Sequence, residues 1–360
     1  MANKDRLIKT LMDLIRIDSP TGEEDAMDEE VTRRLRELGF SVYHDSFKNV
    51  IATLPGQGDP VLLSAHLDTV EPGRGITPVL DGVVLRSDGT TILGGDCKSG
   101  VSIILEALTS VVESAVSHLP IEVAFSRAEE GGLTGARNMD MQRLSARRGI
   151  VFDGEGDVNR ITVSAPSQNV VKANIYGKSS HSGIEPEKGI SAILIAAAIV
   201  TQLPLGRIDA DTTANIGIFQ GGMKRNIIPD NVFLDGEIRS LDQAKFELFT
   251  QRFRDVFDAA EKGHPGCSID LDIENTYTCY DVSSTHDTAQ MIARAVSAAG
   301  LTPTYEKTGG GSDANIFFEN GIEALPVGIG VTGFHTKEES ANINDVLSGV
   351  RVCELIVTGI

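Results

Sequence analysis

Pro60-Val61-Leu62-Leu63-Ser64-Ala65-His66-Leu67-Asp68-Thr69-Val70 is an apolar run that ends in a histidine and an aspartate two residues apart. In a strand, residues i and i+2 point to the same face, so His66 and Asp68 would share one side of the strand's end. A carboxylate in that place can fix the ring of a metal-binding histidine. The pair alone fits a satisfied core or surface histidine equally well. Its meaning therefore depends on what else the chain delivers to its strand ends.

The same design recurs further along. Ile121 to Ser126 reads as a buried strand with Ala128-Glu129-Glu130-Gly131-Gly132 at its carboxyl end, and Gly149-Ile150-Val151-Phe152-Asp153-Gly154 repeats it. Between them the glycine-rich turn Leu93-Gly94-Gly95-Asp96-Cys97-Lys98-Ser99-Gly100 leads into an apolar helix from Val101 to Val112. In open α/β sheets, sites form at the carboxyl ends of strands. Upstream, Leu7, Ile8, Leu11, Leu14 and Ile15 line one face of a helix over 5–16. Thr21-Gly22-Glu23-Glu24 has the pattern of a capping box that opens a second helix to about Leu38. Strands are expected at 41–47, 49–54 and 60–66.

From about Ser167 the pattern changes to alternation, as in Val170-Val171-Lys172-Ala173-Asn174-Ile175-Tyr176-Gly177. A helix near 188–203, strands at 213–219, 232–239 and 268–275, and a helix at 242–262 give this stretch an antiparallel α+β character. A helix at 285–299 and strands near 303 and at 325–329 return to the α/β style. The expected organisation is an α/β catalytic domain formed by residues 1–166 and 277–360, with an α+β domain inserted over 167–276.

A chain of 360 residues suggests two domains, and 41% hydrophobic residues suffice for a full core. A net charge of -19 argues against nucleic acid or an anionic membrane as the main partner, because a polyanion would be repelled. The amino-terminal residues pass directly into an amphipathic pattern, and no apolar run is long enough to span a bilayer, so a cytoplasmic protein is expected. Cys97, Cys267, Cys279 and Cys353 form no CxxC pair and read as reduced thiols.

Collected in order, the acids and imidazoles at strand ends and loops are His66, Asp68, Asp96, Glu129, Glu130, Asp153 and His335. His66-Leu67-Asp68, Gly95-Asp96-Cys97-Lys98, Glu129-Glu130-Gly131-Gly132, Phe152-Asp153-Gly154 and Gly333-Phe334-His335-Thr336 resemble, in order and spacing, the five metal-site motifs of the M20 family of dinuclear zinc peptidases. The tripeptidase T branch is the one the chain resembles most. The likeness extends to Ser180-His181-Ser182-Gly183, Asn226-Ile227-Ile228-Pro229, Gly236-Glu237-Ile238-Arg239-Ser240 and Gly310-Gly311-Ser312-Asp313-Ala314-Asn315.

The resemblance implies a mixed-sheet catalytic domain with an inserted lid and dimerisation domain. It also implies two divalent metal ions, with Asp96 as the bridge, His66 and Asp153 completing one site, and Glu130 and His335 the other. Each metal then has three protein ligands and an open position, as catalytic zinc requires. Nitrogen and oxygen donors suit zinc, and also manganese or cobalt. Cys97 stands where the tripeptidases carry a second Asp, and the likeness implies that it faces away from the metals. The Asp96–Cys97 peptide bond is implied to be cis.

Glu129 would be the general base that takes a proton from the metal-bridging water and delivers it to the leaving amine. Asp68, the other residue assigned to catalysis, would hold the tautomer of His66. His181 is implied to hydrogen-bond the oxyanion across a homodimer interface, Arg239 to clamp a substrate carboxylate, and Asn226 to line the same cleft. By the same resemblance, Asp at position 153, where many carboxypeptidase- or aminoacylase-like members carry Glu, implies a peptidase acting on a free amino terminus. The expected activity is hydrolysis of the amino-terminal bond of short peptides. An N-acyl amino acid or dipeptide hydrolase with the same site is the second enzyme reading. A non-catalytic metal- or peptide-binding protein is the alternative of a different class.

Overall fold

Where a strand is buried on both faces its sequence shows no alternation, and Val61–His66 and Ile121–Ser126 are buried at every position. The computed structural model describes residues 2–359. The chain divides into two compact units. The first runs through Val163 and resumes over Val282–Lys307 and again from Ser312. The second comprises Ser164–Asp281 and the short stretch Thr308–Gly311. That stretch is joined to the second unit by Thr308 N–H, which donates to the Ser164 carbonyl at 2.9 Å.

In the first unit a mixed sheet has the order Ser41–His44, Val50–Leu54, Ile121–Ser126, Val61–His66, Arg148–Gly154, Glu323–Gly328. Val61–His66 lies parallel to both its neighbours, and Glu323–Gly328 is parallel to Arg148–Gly154. The two outer strands, Ser41–His44 and Val50–Leu54, are antiparallel. Helix Gly95–Ser114 packs on the central strands and on helices Lys4–Ile15 and Ile343–Val357. Lys4–Ile15 buries Leu7, Leu11, Leu14 and Ile15 as a single stripe, and Asn3 caps its start by accepting from the Arg6 amide.

The capping box expected at Thr21–Glu24 is absent. Helix Asp25–Glu37 begins after Glu24 with no side-chain cap. The Thr21 hydroxyl instead donates to Asp68, and the Glu24 carboxylate accepts from Gly22 N, Ala128 N and the Arg127 guanidinium. Apart from Gly22, these partners are distant ones that a local pattern cannot show.

The second unit is a five-stranded antiparallel sheet in the order Gly206–Arg207, Thr212–Gly221, Asn231–Ser240, Ser167–Tyr176, Ser268–Tyr277. Val171, Ala173 and Ile175 alternate inward with Val232, Leu234 and Ile238. They meet Ala192, Ile195 and Ile199 of helix Ala192–Gln202 and Phe246, Phe253 and Phe257 of helix Gln243–Gly263. This is the period-2 signal of a sheet with one covered face. Among the described residues, no helix is long and apolar enough to cross a membrane.

Candidate active site

Parallel register brings three strand ends level, with His66 opposite Ser126. His66 closes its strand, Glu129 and Glu130 follow Ser126 by a few residues, and Asp153 sits near the end of Arg148–Gly154. Helix Gly95–Ser114 begins at the same level, but Asp96 and Cys97 depart from helical angles and the bond between them is cis, as the resemblance implied. A Cβ on Gly100 would lie 2.0 Å from the Phe152 carbonyl oxygen, so only glycine lets this helix start lie against the strand that carries Asp153. His335 arrives from a turn after Val331–Thr332, with a left-handed φ of 61°.

The side chains meet in three overlapping groups. His66, Asp96, Cys97 and Asp153 form one, His66, Glu129 and Glu130 another, and Asp96, Glu130 and His335 the third. Within each group the donor atoms lie within 4.8 Å of one another. His66 Nε2 is 3.0 Å from Asp96 Oδ1 and 3.4 Å from Asp153 Oδ1. His335 Nε2 is 2.8 Å from Glu130 Oε1 and 3.3 Å from Asp96 Oδ2. Asp96 thus turns one oxygen to each histidine.

Cys97 is closer to this cluster than the resemblance implied. Its thiol donates to the Phe152 carbonyl at 2.7 Å, and burial pushes its pKa well above the ordinary thiol value. A buried neutral thiol is a poor metal donor.

The electrostatics describe a pocket crowded with negative charge. Burial, with help from Asp96 and Asp313 and against His66, pushes Asp153 up to about 7. Burial and then Asp153 hold Glu129 well above the carboxylate range. Burial also acts to raise Asp96, but hydrogen bonds from His335 and His66 outweigh it and bring Asp96 down to about 2. Hydrogen bonds to Asp96 and Glu130 raise His335 to about 10. For His66, burial opposes the charge, yet Cys97, Asp153 and Asp68 together leave it well above its usual value. Asp313, bonded to the Ser126 hydroxyl through one oxygen, is raised to about 6 by burial, and its other buried oxygen has no hydrogen-bond partner among the described residues. Imidazole nitrogens and carboxylate oxygens in this arrangement fit divalent cations, whose charge would relieve the crowding.

Three buried carboxylates hold the loops on which these groups stand. Asp68 was expected to accept from His66, and its Oδ1 does lie 3.3 Å from His66 Nδ1. The nearer partner of that nitrogen is the Asp68 backbone carbonyl, at 3.0 Å. The carboxylate also accepts from the amides of Glu129 (3.0 Å) and Glu130 (3.2 Å) and from the Thr21 hydroxyl (2.8 Å). Glu24 holds Ala128 and Arg127 from the other side. Glu339 accepts from Leu93 N, Gly94 N and Asp96 N, and burial pushes it up to about 7. The buried Lys98 ammonium donates to the Ile17 carbonyl at 2.6 Å, and burial, against the charges of Asp18 and Glu339, lowers it to about 8. Glu339 and Asp313 escaped the sequence reading. Their only signals were a carboxylate four residues after His335 and an acid in the already quoted Gly310–Asn315 stretch.

His181, Asn226 and Arg239 all belong to the second unit. His181 forms a β-bridge with Ile227, and Ser182 N donates to the Asn226 carbonyl, so His181 and Asn226 lie on paired loops. Arg239, on strand Asn231–Ser240, bonds Glu237 at 2.9 Å and the Gly309 carbonyl at 3.1 Å, and its buried Nε has no hydrogen-bond partner among the described residues.

Comparison with known proteins agrees with this architecture. The M20 peptidase dimerisation domain profile matches residues 169–265, and the profile of peptidase family M28 matches residues 49–184. The chain is 36% identical to "Uncharacterized protein YqjE" of Bacillus subtilis, over 99% of this chain and 98% of that one. An aminopeptidase PepT from Bacillus cereus is 35% identical with a TM-score of 0.90, covering 99% of this chain and 98% of its own. A tripeptidase from Staphylococcus aureus is 31% identical with a TM-score of 0.94 and the same coverage of both chains. With relatives of this identity spanning nearly its whole length, and the candidate ligands gathered at the carboxyl ends of the central strands, the chain belongs to the M20 peptidase family, in its peptidase T-like branch.

Proposed function

We propose that this chain is a dinuclear metallo-aminopeptidase that hydrolyses the amino-terminal bond of short peptides. The observation that carries the reading is the placement of Asp96, one oxygen toward His66 and the other toward His335, each histidine with a further carboxylate beside it. His66, Asp96 and Asp153 would hold one cation, and Asp96, Glu130 and His335 the other, most simply zinc. When bound, such ions polarise a scissile carbonyl and make water acidic enough to attack at neutral pH.

The chain's own residues then manage the proton. Glu129 is beside His66 and Glu130, within the same pocket. With cations there to offset the crowding of carboxylates, Glu129 would be ionised, take the proton from the water and pass it to the leaving amine. Asp68 fixes Glu129 by its amide, so the base and the histidine share one anchor. Arg239 offers a guanidinium for the substrate carboxylate, His181 a donor to the oxyanion of a partner subunit's site, and Asn226 a lining group. The dimerisation-domain match supports a homodimer. So does strand Thr212–Gly221, whose Ile218 and Phe219 are exposed and lie beyond its pairing with Gly206–Arg207.

The test is to incubate zinc- or manganese-loaded protein with di-, tri- and tetrapeptides, free and N-acetylated, and to identify products by mass. Release of the first residue from free peptides is expected. Cleavage of acetylated substrates alone would overturn the aminopeptidase reading in favour of an N-acyl hydrolase.

A further inference from the structure

We propose that Glu339 is a positioning residue for the metal site: it sets the backbone of Asp96 from the same segment that carries His335, and so couples the two halves of the site. The inference rests on the metal-ligand reading given above. Glu339 is 1% exposed, and both its carboxylate oxygens accept hydrogen bonds. Oε2 accepts from Leu93 N and Gly94 N, both at 2.8 Å, and Oε1 from Asp96 N at 2.9 Å.

The Gly94 and Asp96 amides are orphan donors of the kind expected at a helix start, and the Leu93 amide directly precedes them. Gly94, at the N-cap, has left-handed angles and offers no side chain to meet them. A carboxylate 243 residues away meets them instead. Gly95 leaves room for it, since a Cβ there would lie 3.1 Å from Glu339 Oε1.

The other end of the coupling is a short loop. Thr336 N donates to Gly333 O and Glu339 N to Thr336 O, so His335 rides in consecutive turns between Gly333 and Glu339. Gly333 N is fixed by Glu155 Oε1 at 2.8 Å. His335 itself is half exposed, so its position depends on these two anchors more than on packing. One buried side chain therefore registers the proposed bridging aspartate against the most exposed ligand.

Glu339→Gln is nearly isosteric but cannot serve all three amides. Turned one way its NH2 faces Leu93 and Gly94, turned the other it faces Asp96. Chelator-stripped wild type and E339Q would be titrated with zinc against a fluorescent chelator, after circular dichroism has checked the fold. Wild type is expected to take up two zinc ions, and E339Q to bind them at least about 10-fold more weakly, as for lost partners of metal ligands generally. KM for a tripeptide at saturating zinc should change less than kcat. Zinc affinity within twofold of wild type would overturn the proposal while leaving the functional reading intact. Wild type that takes up neither zinc nor manganese would overturn both. If E339Q does not fold, amide exchange in metal-free wild type decides: Leu93, Gly94 and Asp96 should be protected, and exchange at open-loop rates would refute the clamp.

Discussion

Asp68→Asn tests whether the loop bearing Glu129 and Glu130 is held by one buried carboxylate. Asp68 is fully buried and meets four groups: the Thr21 hydroxyl, the Glu129 and Glu130 amides, and His66 Nδ1. Asparagine keeps one acceptor oxygen and substitutes a donor for the other. With the NH2 at the Oδ1 position it would face the Glu129 amide and the ring of His66. With the NH2 at Oδ2 it would face the Glu130 amide and Thr21, whose hydroxyl can rotate to accept. The second arrangement is the cheaper, and it leaves one buried amide unpaired, at a cost of about 1–3 kcal/mol. The bond to the Glu129 amide survives but loses its charge assistance, roughly another 1 kcal/mol.

A destabilisation of about 2–4 kcal/mol at pH 7 follows, readable by urea denaturation of the metal-free protein. The pH dependence has a definite sign. Burial acts to raise Asp68, but hydrogen bonds from His66, Thr21 and the Glu129 amide hold it below the ordinary carboxylate value. A depressed carboxylate contributes stability above its unfolded pKa and loses it as pH falls through the folded one. The gap between wild type and variant should therefore be full at pH 7 and narrow on acidification. A difference under about 0.5 kcal/mol at pH 7, the range of ordinary surface substitutions, would refute the anchoring role.

Glu129→Gln should retain zinc while turnover falls by about 10²–10⁴-fold or more, the worth of a positioned general base; near-wild-type kcat in the zinc-loaded variant would remove the assignment. In the metal-free protein His335 is held at about 10 by Asp96 and Glu130, so its ion-pair contribution to stability is complete below its unfolded value near 6.5 and fades as pH rises toward about 10. Zinc uptake at neutral pH must displace that proton, so calorimetry in two buffers of different ionisation enthalpy should show proton release, and heats independent of buffer would contradict it.

What the sequence made legible was whatever side-chain type and spacing encode. The doubly buried strands show as continuous apolar runs, the second unit as period-2 alternation, and the ligand set as acids and imidazoles directly after those runs. Helix Ile343–Val357 was missed because it is buried almost all round and lacks an amphipathic stripe. Strand Arg160–Ala165 was missed because Thr162 and Ser164 sit in its buried run.

The larger gap concerns carboxylates whose partners are backbone amides. Every non-proline residue offers the same N–H, so no residue type announces that Glu24 will take Ala128, Asp68 the Glu129 and Glu130 pair, or Glu339 the turn at Leu93–Asp96. The acids of this pocket thus fall into two physical kinds. Those facing imidazoles, Asp96, Asp153 and Glu130, carry spacing that a motif can record, and Asp68, which faces both His66 and two amides, shows only its first role that way. Those facing amides fix the loops on which the first kind stand, across separations as long as 246 residues. That division explains why the supporting acids, which hold the loops behind Asp96, Glu129 and Glu130, are the place where conservative substitutions should be felt first.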